Sequence, residues 1–73
     1  MEEKPVSLFR LTKAEYEVFL KVIEGKPNKI IAHELGITLR TVKAHRHAVM
    51  EKSGAQSIAE LVRLAVRKGI IEP

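Results

Sequence analysis

The segment Leu35-Gly36-Ile37-Thr38 constrains this chain more than any other. A leucine closes one helical pattern, and glycine, an apolar turn residue and a threonine able to cap a new helix follow it. Upstream, Lys29 to Leu35 places Ile31, Ala32 and Leu35 on one face, with Pro27-Asn28 supplying a turn and an N-cap. Downstream, Leu39 to about Lys52 repeats Leu39, Val42, Val49 and Met50 at helical spacing before Ser53-Gly54 stops it. A short helix, a three-residue connection and a longer helix make the sequence form of a helix-turn-helix, with Ile37 as the buried wedge between the two. An ordinary αα-corner can use the same residues, so charge and the remaining helices must decide.

The charge is localised. The chain of 73 residues has 13 basic and 9 acidic side chains, a formal net charge of +4. Lys26, Lys29, Arg40, Lys43 and Arg46 face only Glu34 within residues 26–47, so this window holds the whole excess. His33, His45 and His47 lie in it too, and mild acidity would add to its potential. A basic block on a small domain is the electrostatic footprint of a phosphate-backbone binder; the plainer alternative is a solvated positive surface.

Two more helices flank the pair. Thr12-Lys13-Ala14-Glu15 is a capping box opening a helix that ends near Glu24-Gly25 and carries Val18, Phe19, Val22 and Ile23 on its apolar face. Ser57-Ile58-Ala59-Glu60 is a second such box, opening a helix that runs to about Lys68-Gly69. Residues 1–10 contain Pro5 and no sustained period, so they read as a flexible lead-in or linker from which Leu8, Phe9 and Leu11 can dock on the core. The domain proper is residues 11–73. No segment alternates as a strand does, and the expected fold is all-α, a four-helix helix-turn-helix domain without a wing.

Size and composition exclude several functions. A chain this short buries only about 60% of its unfolded surface, which leaves no second lobe to enclose a substrate and argues against an enzyme. There is neither cysteine nor aspartate, and Ser7, Ser53 and Ser57 sit in linker or capping contexts with no base-and-orienter set. His45 and His47, two apart on a helix, diverge by about 200° and cannot chelate one metal ion. No cofactor is expected. No apolar run approaches the roughly 20 residues of a membrane span, and the N-terminus lacks signal-peptide character, so a cytoplasmic location without membrane contact is expected.

A wheel of the third helix sorts its faces. Leu39, Val42, Arg46, Val49 and Met50 share one side; Arg40, Ala44, His47, Ala48 and Glu51 share the other, with Thr41 and Lys43 at its edges. The outward side is small, polar and cationic, as a major-groove helix requires: Lys43 reaches guanine acceptors or phosphate, His47 donates to a base edge, and Ala44 permits close approach. Flanking residues such as Arg40 then bind phosphate. Arg46 on the apolar side needs a partner. Glu15 lies inside the apolar arc of the first helix, so a structural Glu15–Arg46 ion pair is expected; a DNA phosphate or Glu60 are the alternatives.

The motifs Leu11-Thr12-x-x-Glu15-x-x-Val18-Phe19, Glu24-Gly25-Lys26-Pro27-Asn28-Lys29-x-Ile31-Ala32, Leu35-Gly36-Ile37-Thr38, Thr41-Val42-Lys43-x-His45-Arg46, Lys52-Ser53-Gly54 and Ala59-Glu60-Leu61-Val62 occur in this order over residues 11 to about 71. Together they resemble the LuxR/GerE-type DNA-binding domain. The resemblance implies a bacterial transcription regulator that binds double-stranded DNA as a homodimer, either alone or as the effector domain of a response regulator. It places the third helix in the major groove and the fourth at the dimer interface. Lys43, Ala44 and His47 match the family's base-contacting positions; Asn28, Lys29 and Thr41 match backbone-contacting ones. The chain departs from the pattern at Ala14, where arginine is common, and at Ile30, which takes the place of a polar surface residue and could mark a protein contact.

The fourth helix carries its own sign of pairing. Ile58, Leu61, Val62 and Ala65 suffice for the core, while Ala59 and Val66 widen the apolar arc and Arg63 borders it. The dimer strip is therefore expected at Ala59, Val62, Arg63 and Val66, and its small size implies a weak dimer favoured on DNA. The competing functional class is a helical protein-interaction module, such as a sigma-factor-like domain that contacts RNA polymerase. Steep salt dependence of binding distinguishes the first class from the second.

Overall fold

A computed structural model describes residues 8–72. Within them the chain forms one turn, Leu8–Arg10, and four α-helices: α1 (Lys13–Ile23), α2 (Asn28–Leu35), α3 (Leu39–Ser53) and α4 (Ile58–Arg67). Among the described residues there is no strand, and the all-α four-helix reading holds.

Local chemistry sets the helix boundaries. Thr12 Oγ1 accepts the Glu15 N–H at 3.1 Å, and Glu15 Oε1 accepts the Thr12 N–H at 2.9 Å, completing the box that starts α1. Thr38 Oγ1 accepts the Thr41 N–H at 3.1 Å at the head of α3, a cap worth about 1 kcal/mol. Gly36 ends α2 in the left-handed region (φ 67°), which lets the Ile37 N–H return to the Ala32 carbonyl at 3.0 Å. Without that reversal α2 could not hand over to α3 in three residues. Ser53 Oγ donates to the Met50 carbonyl and accepts the Ala55 N–H, a turn role consistent with its position as the last residue of α3.

Two boundary expectations require correction. Asn28 does not cap α2. It is the first residue of the helix, Pro27 occupies the cap position without a side-chain bond, and the Asn28 carboxamide is drawn to α3 instead. The second capping box is only half formed: Ser57 Oγ accepts the Glu60 N–H at 3.1 Å, but Glu60 Oε1 reaches one residue further back, to the Gln56 N–H.

The core lies where α1 packs on α3, with α2 and α4 closing its sides. Leu11, Val18, Phe19, Ile31, Val42, Val49, Leu61 and Ala65 are fully buried there. Leu8, Phe9 and Ile37 pack on it from the connecting segments. The Phe9 ring meets Phe19 edge-on, with centroids 6.2 Å apart. Phe9 and Arg10 hold positive φ angles of 50° and 59°, each costing about 1–2 kcal/mol in a non-glycine residue. The Phe9–Phe19 contact and the full burial of Leu11 offset that cost, and Leu8, Phe9 and Leu11 dock on the core as expected. Residues 1–7 of the expected lead-in lie outside the described residues.

Two apolar assignments also change. Leu39 shares a wheel azimuth with Val42 and Val49 yet is 42% exposed, because the first residue of a helix has neighbours on only one axial side. Val62, expected in the core, is half-buried and is not among the side chains that pack on it; Leu64 packs there instead, beside the expected Ile58.

Candidate nucleic-acid interface

The candidate interface is built on α3. Val42 and Val49 anchor one side of the helix in the core, and the opposite side is thereby turned outward. Arg40, Lys43, Ala44 and His47 are all exposed, and Thr41 and Ala48 lie half-buried beside them. Among the described residues, Lys29, Arg40 and Lys43 form no ion pair. The exposed arc of α3 thus presents two uncommitted cations, Arg40 and Lys43, beside the small side chain of Ala44, a surface that a nucleic-acid groove can approach closely.

Thr41 has a second role. Its hydroxyl lies 2.9 Å from that of Thr38, so the cap residue and the expected backbone contact share one hydroxyl network. His47 Nε2 stands 3.3 Å from Glu51 Oε1, one turn on, with both side chains well exposed. The spacing of four residues makes this partner legible in the sequence, although the wheel considered His47 alone.

The first turn of α2 is fastened to the middle of α3. Arg46 Nη1 donates to Asn28 Oδ1 at 2.8 Å in a half-buried contact. The expected Glu15–Arg46 pair is therefore absent, and Glu60 is not the partner either. Glu15 is bonded instead to Lys52, with Nζ–Oε1 at 2.6 Å. The reason is geometric: seven residues separate His45 from Lys52, so both lie on the stripe of α3 that faces the start of α1, whereas Arg46 is rotated about 100° toward α2.

Burial pushes the Glu15 carboxyl up, but the Lys52 bond, the Thr12 N–H and the charges of Lys52 and His45 outweigh it, so its pKa lies below the ordinary value. Asn28 offered no charge that could have identified it as the Arg46 partner, which is why sequence reasoning missed this contact.

Not all of the basic window belongs to this surface. Lys26 Nζ lies 2.9 Å from both carboxylate oxygens of Glu34, and Lys21 Nζ lies 2.9 Å from Oε1. The Lys26 and Lys21 bonds hold the Glu34 carboxyl below its ordinary range, and the Glu34 bond raises the Lys21 ammonium. This cluster clamps α2 to α1. Lys26 is neutralised, and the cations free to meet a phosphate are Lys29, Arg40 and Lys43.

An all-helical domain with a helix-turn-helix, whose second helix turns a small and cationic face outward, defines the class of DNA-binding domains of transcription regulators. The chain belongs to the luxR family of bacterial regulatory proteins, whose family model matches residues 10–65. It is 46% identical over 59 residues to the transcriptional regulatory protein FixJ of Rhizobium meliloti (strain 1021), covering 81% of this chain and 29% of that protein. It is 39% identical over 62 residues to the oxygen regulatory protein NreC of Staphylococcus aureus (strain JH9), covering 85% and 29%. Full-length FixJ from B. japonicum has a similar structure, with a TM-score of 0.79 and 44% identity over 85% of this chain and 30% of that one. The chain thus spans less than a third of the length of these relatives. The family is one of regulators and not of enzymes. No helix among the described residues is long and apolar enough to cross a membrane.

Proposed function

We propose that this domain binds double-stranded DNA sequence-specifically and serves as the output unit of a transcription regulator, whether alone or as the effector domain of a response regulator. The observation that carries the reading is the exposed arc of α3. Lys43, Ala44 and His47 face outward where base edges would lie, and Lys29, Arg40, Thr41 and Asn28 surround them where phosphates would lie. The compatible fold of FixJ and the membership of the luxR family support it.

Pairing through α4 completes the reading. Ala59, Val62, Arg63 and Val66 follow the i, i+3, i+4, i+7 spacing of a single helical stripe, and Val62 and Val66 are half-buried without joining the core. A strip this small supports only a weak symmetric contact, so the domain is a monomer or weak dimer at micromolar concentration and pairs on adjacent half-sites. Selection of bound fragments from a random duplex pool tests the proposal: a recovered two-fold-related motif is expected, and recovery without sequence preference opposes it. A tight dimer by ultracentrifugation without DNA contradicts the weak interface.

A second reading, contact with RNA polymerase, is favoured by Ile30 and Leu39, the exposed large apolar side chains at the heads of α2 and α3. If it holds, the uncharged substitution Ile30→Ser lowers transcription from a bound promoter while leaving DNA affinity unchanged.

A further inference from the structure

The contacts assigned above give Arg46 no part in DNA binding, yet its position is specific. Its Nη1 donates to Asn28 Oδ1 across the two helices of the motif. A guanidinium only donates, so the orientation of the carboxamide is settled: the oxygen faces Arg46 and the two Nδ2 hydrogens face away from it. Asn28 lies inside α2 with Pro27 in the cap position, so Oδ1 serves Arg46 and not the helix cap. Ile30 and Ile31 both donate to the Pro27 carbonyl, at 3.0 and 3.1 Å. Among the described residues, the N–H groups of Asn28 and Lys29 have no protein acceptor.

We propose that Arg46 is a positioning residue for DNA-backbone binding: it orients Asn28 so that Nδ2 joins the open N–H groups of the first turn of α2 as donors to one phosphate. On this proposal Arg46 acts through Asn28 and not on the phosphate itself: its Nη1 holds Oδ1 from a half-buried site. The inference rests on the reading of Asn28 as a backbone contact. It differs from a direct Arg–phosphate contact in one respect: the effect of Arg46 passes entirely through Asn28.

The test is a double-mutant cycle in affinity for a labelled mixed-sequence duplex of about 20 base pairs, across a salt series starting near roughly 50 mM. Asn28→Ala and Arg46→Gln are each expected to weaken binding roughly tenfold, with the double variant no weaker than Asn28→Ala alone. Arg46→Lys, which still donates to Oδ1, is expected to recover most of the affinity. Additive losses of roughly a hundredfold, with the salt slope of Arg46→Gln reduced by about one, overturn the proposal and make Arg46 a phosphate ligand. So does an Arg46→Gln variant that melts earlier but binds normally below its melt, because that bridge is purely structural. A wild-type domain that binds no duplex overturns the DNA reading together with the proposal, whereas the other two outcomes leave the DNA reading standing.

Discussion

Glu15 and Lys52 join the start of the first helix to the end of the third, with 2.6 Å between Oε1 and Nζ. The carboxylate that receives Lys52 also accepts the Thr12 N–H, so one side chain both caps α1 and fixes α3 against it. Lys52 Nζ further approaches the Arg10 carbonyl at 3.4 Å, which ties the strained turn before α1 to the same point. The helix that carries the proposed DNA contacts is thus held at its far end by a polar cluster and in its middle by Arg46.

Acid should weaken this cluster. The pKa of Glu15 is lower folded than unfolded, so its contribution is fully present above the ordinary carboxylate range and is lost as pH falls through the depressed value. Glu15→Gln is expected to lower stability by about 1–2 kcal/mol at neutral pH, through the lost pair and the weakened cap. Melts from neutral pH to about pH 2 should show the two proteins converging as the carboxyl protonates. A constant gap between them contradicts the assignment.

Phe19→Ala tests the core. Phe19 on α1 is fully buried and meets the rings of Phe9 and Tyr16, and its truncation should cost about 3–5 kcal/mol. A domain of this size has only roughly 4–11 kcal/mol in total, so urea unfolding should show a midpoint moved sharply down or a population already unfolded.

Gly36→Ala should be milder. A Cβ at this position meets nothing within 4 Å, so the cost is confined to the backbone at φ 67° and is about 1–2 kcal/mol. Thermal melts should shift by that amount, with DNA affinity below the melt unchanged. A loss of affinity without a loss of stability would show that the turn has reoriented α3.

The caps of α1 and α3, the helix-turn-helix and the outward arc of α3 were legible in the sequence because each depends on residues within a few positions: Thr12 with Glu15, Thr38 with Thr41, Gly36 with Ala32. Partners across helices were not. A wheel gives the direction of a side chain around its own helix but not which neighbouring helix lies in that direction. Glu15 and Arg46 therefore looked matched, while the stripe facing Glu15 is that of His45 and Lys52. Lys26 was likewise counted toward the DNA-facing charge, although Glu34, eight residues on, neutralises it.

His47 separates recognition from stability. Its pairing with Glu51 is exposed and worth only about 0.3–0.5 kcal/mol, so His47→Ala should melt almost like the wild type. Fragment selection with this variant should nevertheless return a motif relaxed at one or two positions of each half-site, as Lys43→Ala should. An unchanged motif removes His47 from the reading surface.

The slope of affinity against salt tests the central claim most directly. On a duplex selected by the wild-type domain, the logarithm of the association constant should fall linearly with that of salt concentration. Lys29→Ala should reduce the slope by about one and weaken selected and scrambled duplexes equally. Affinity that ignores salt, or that is equal for selected and scrambled duplexes in the wild type, contradicts the account.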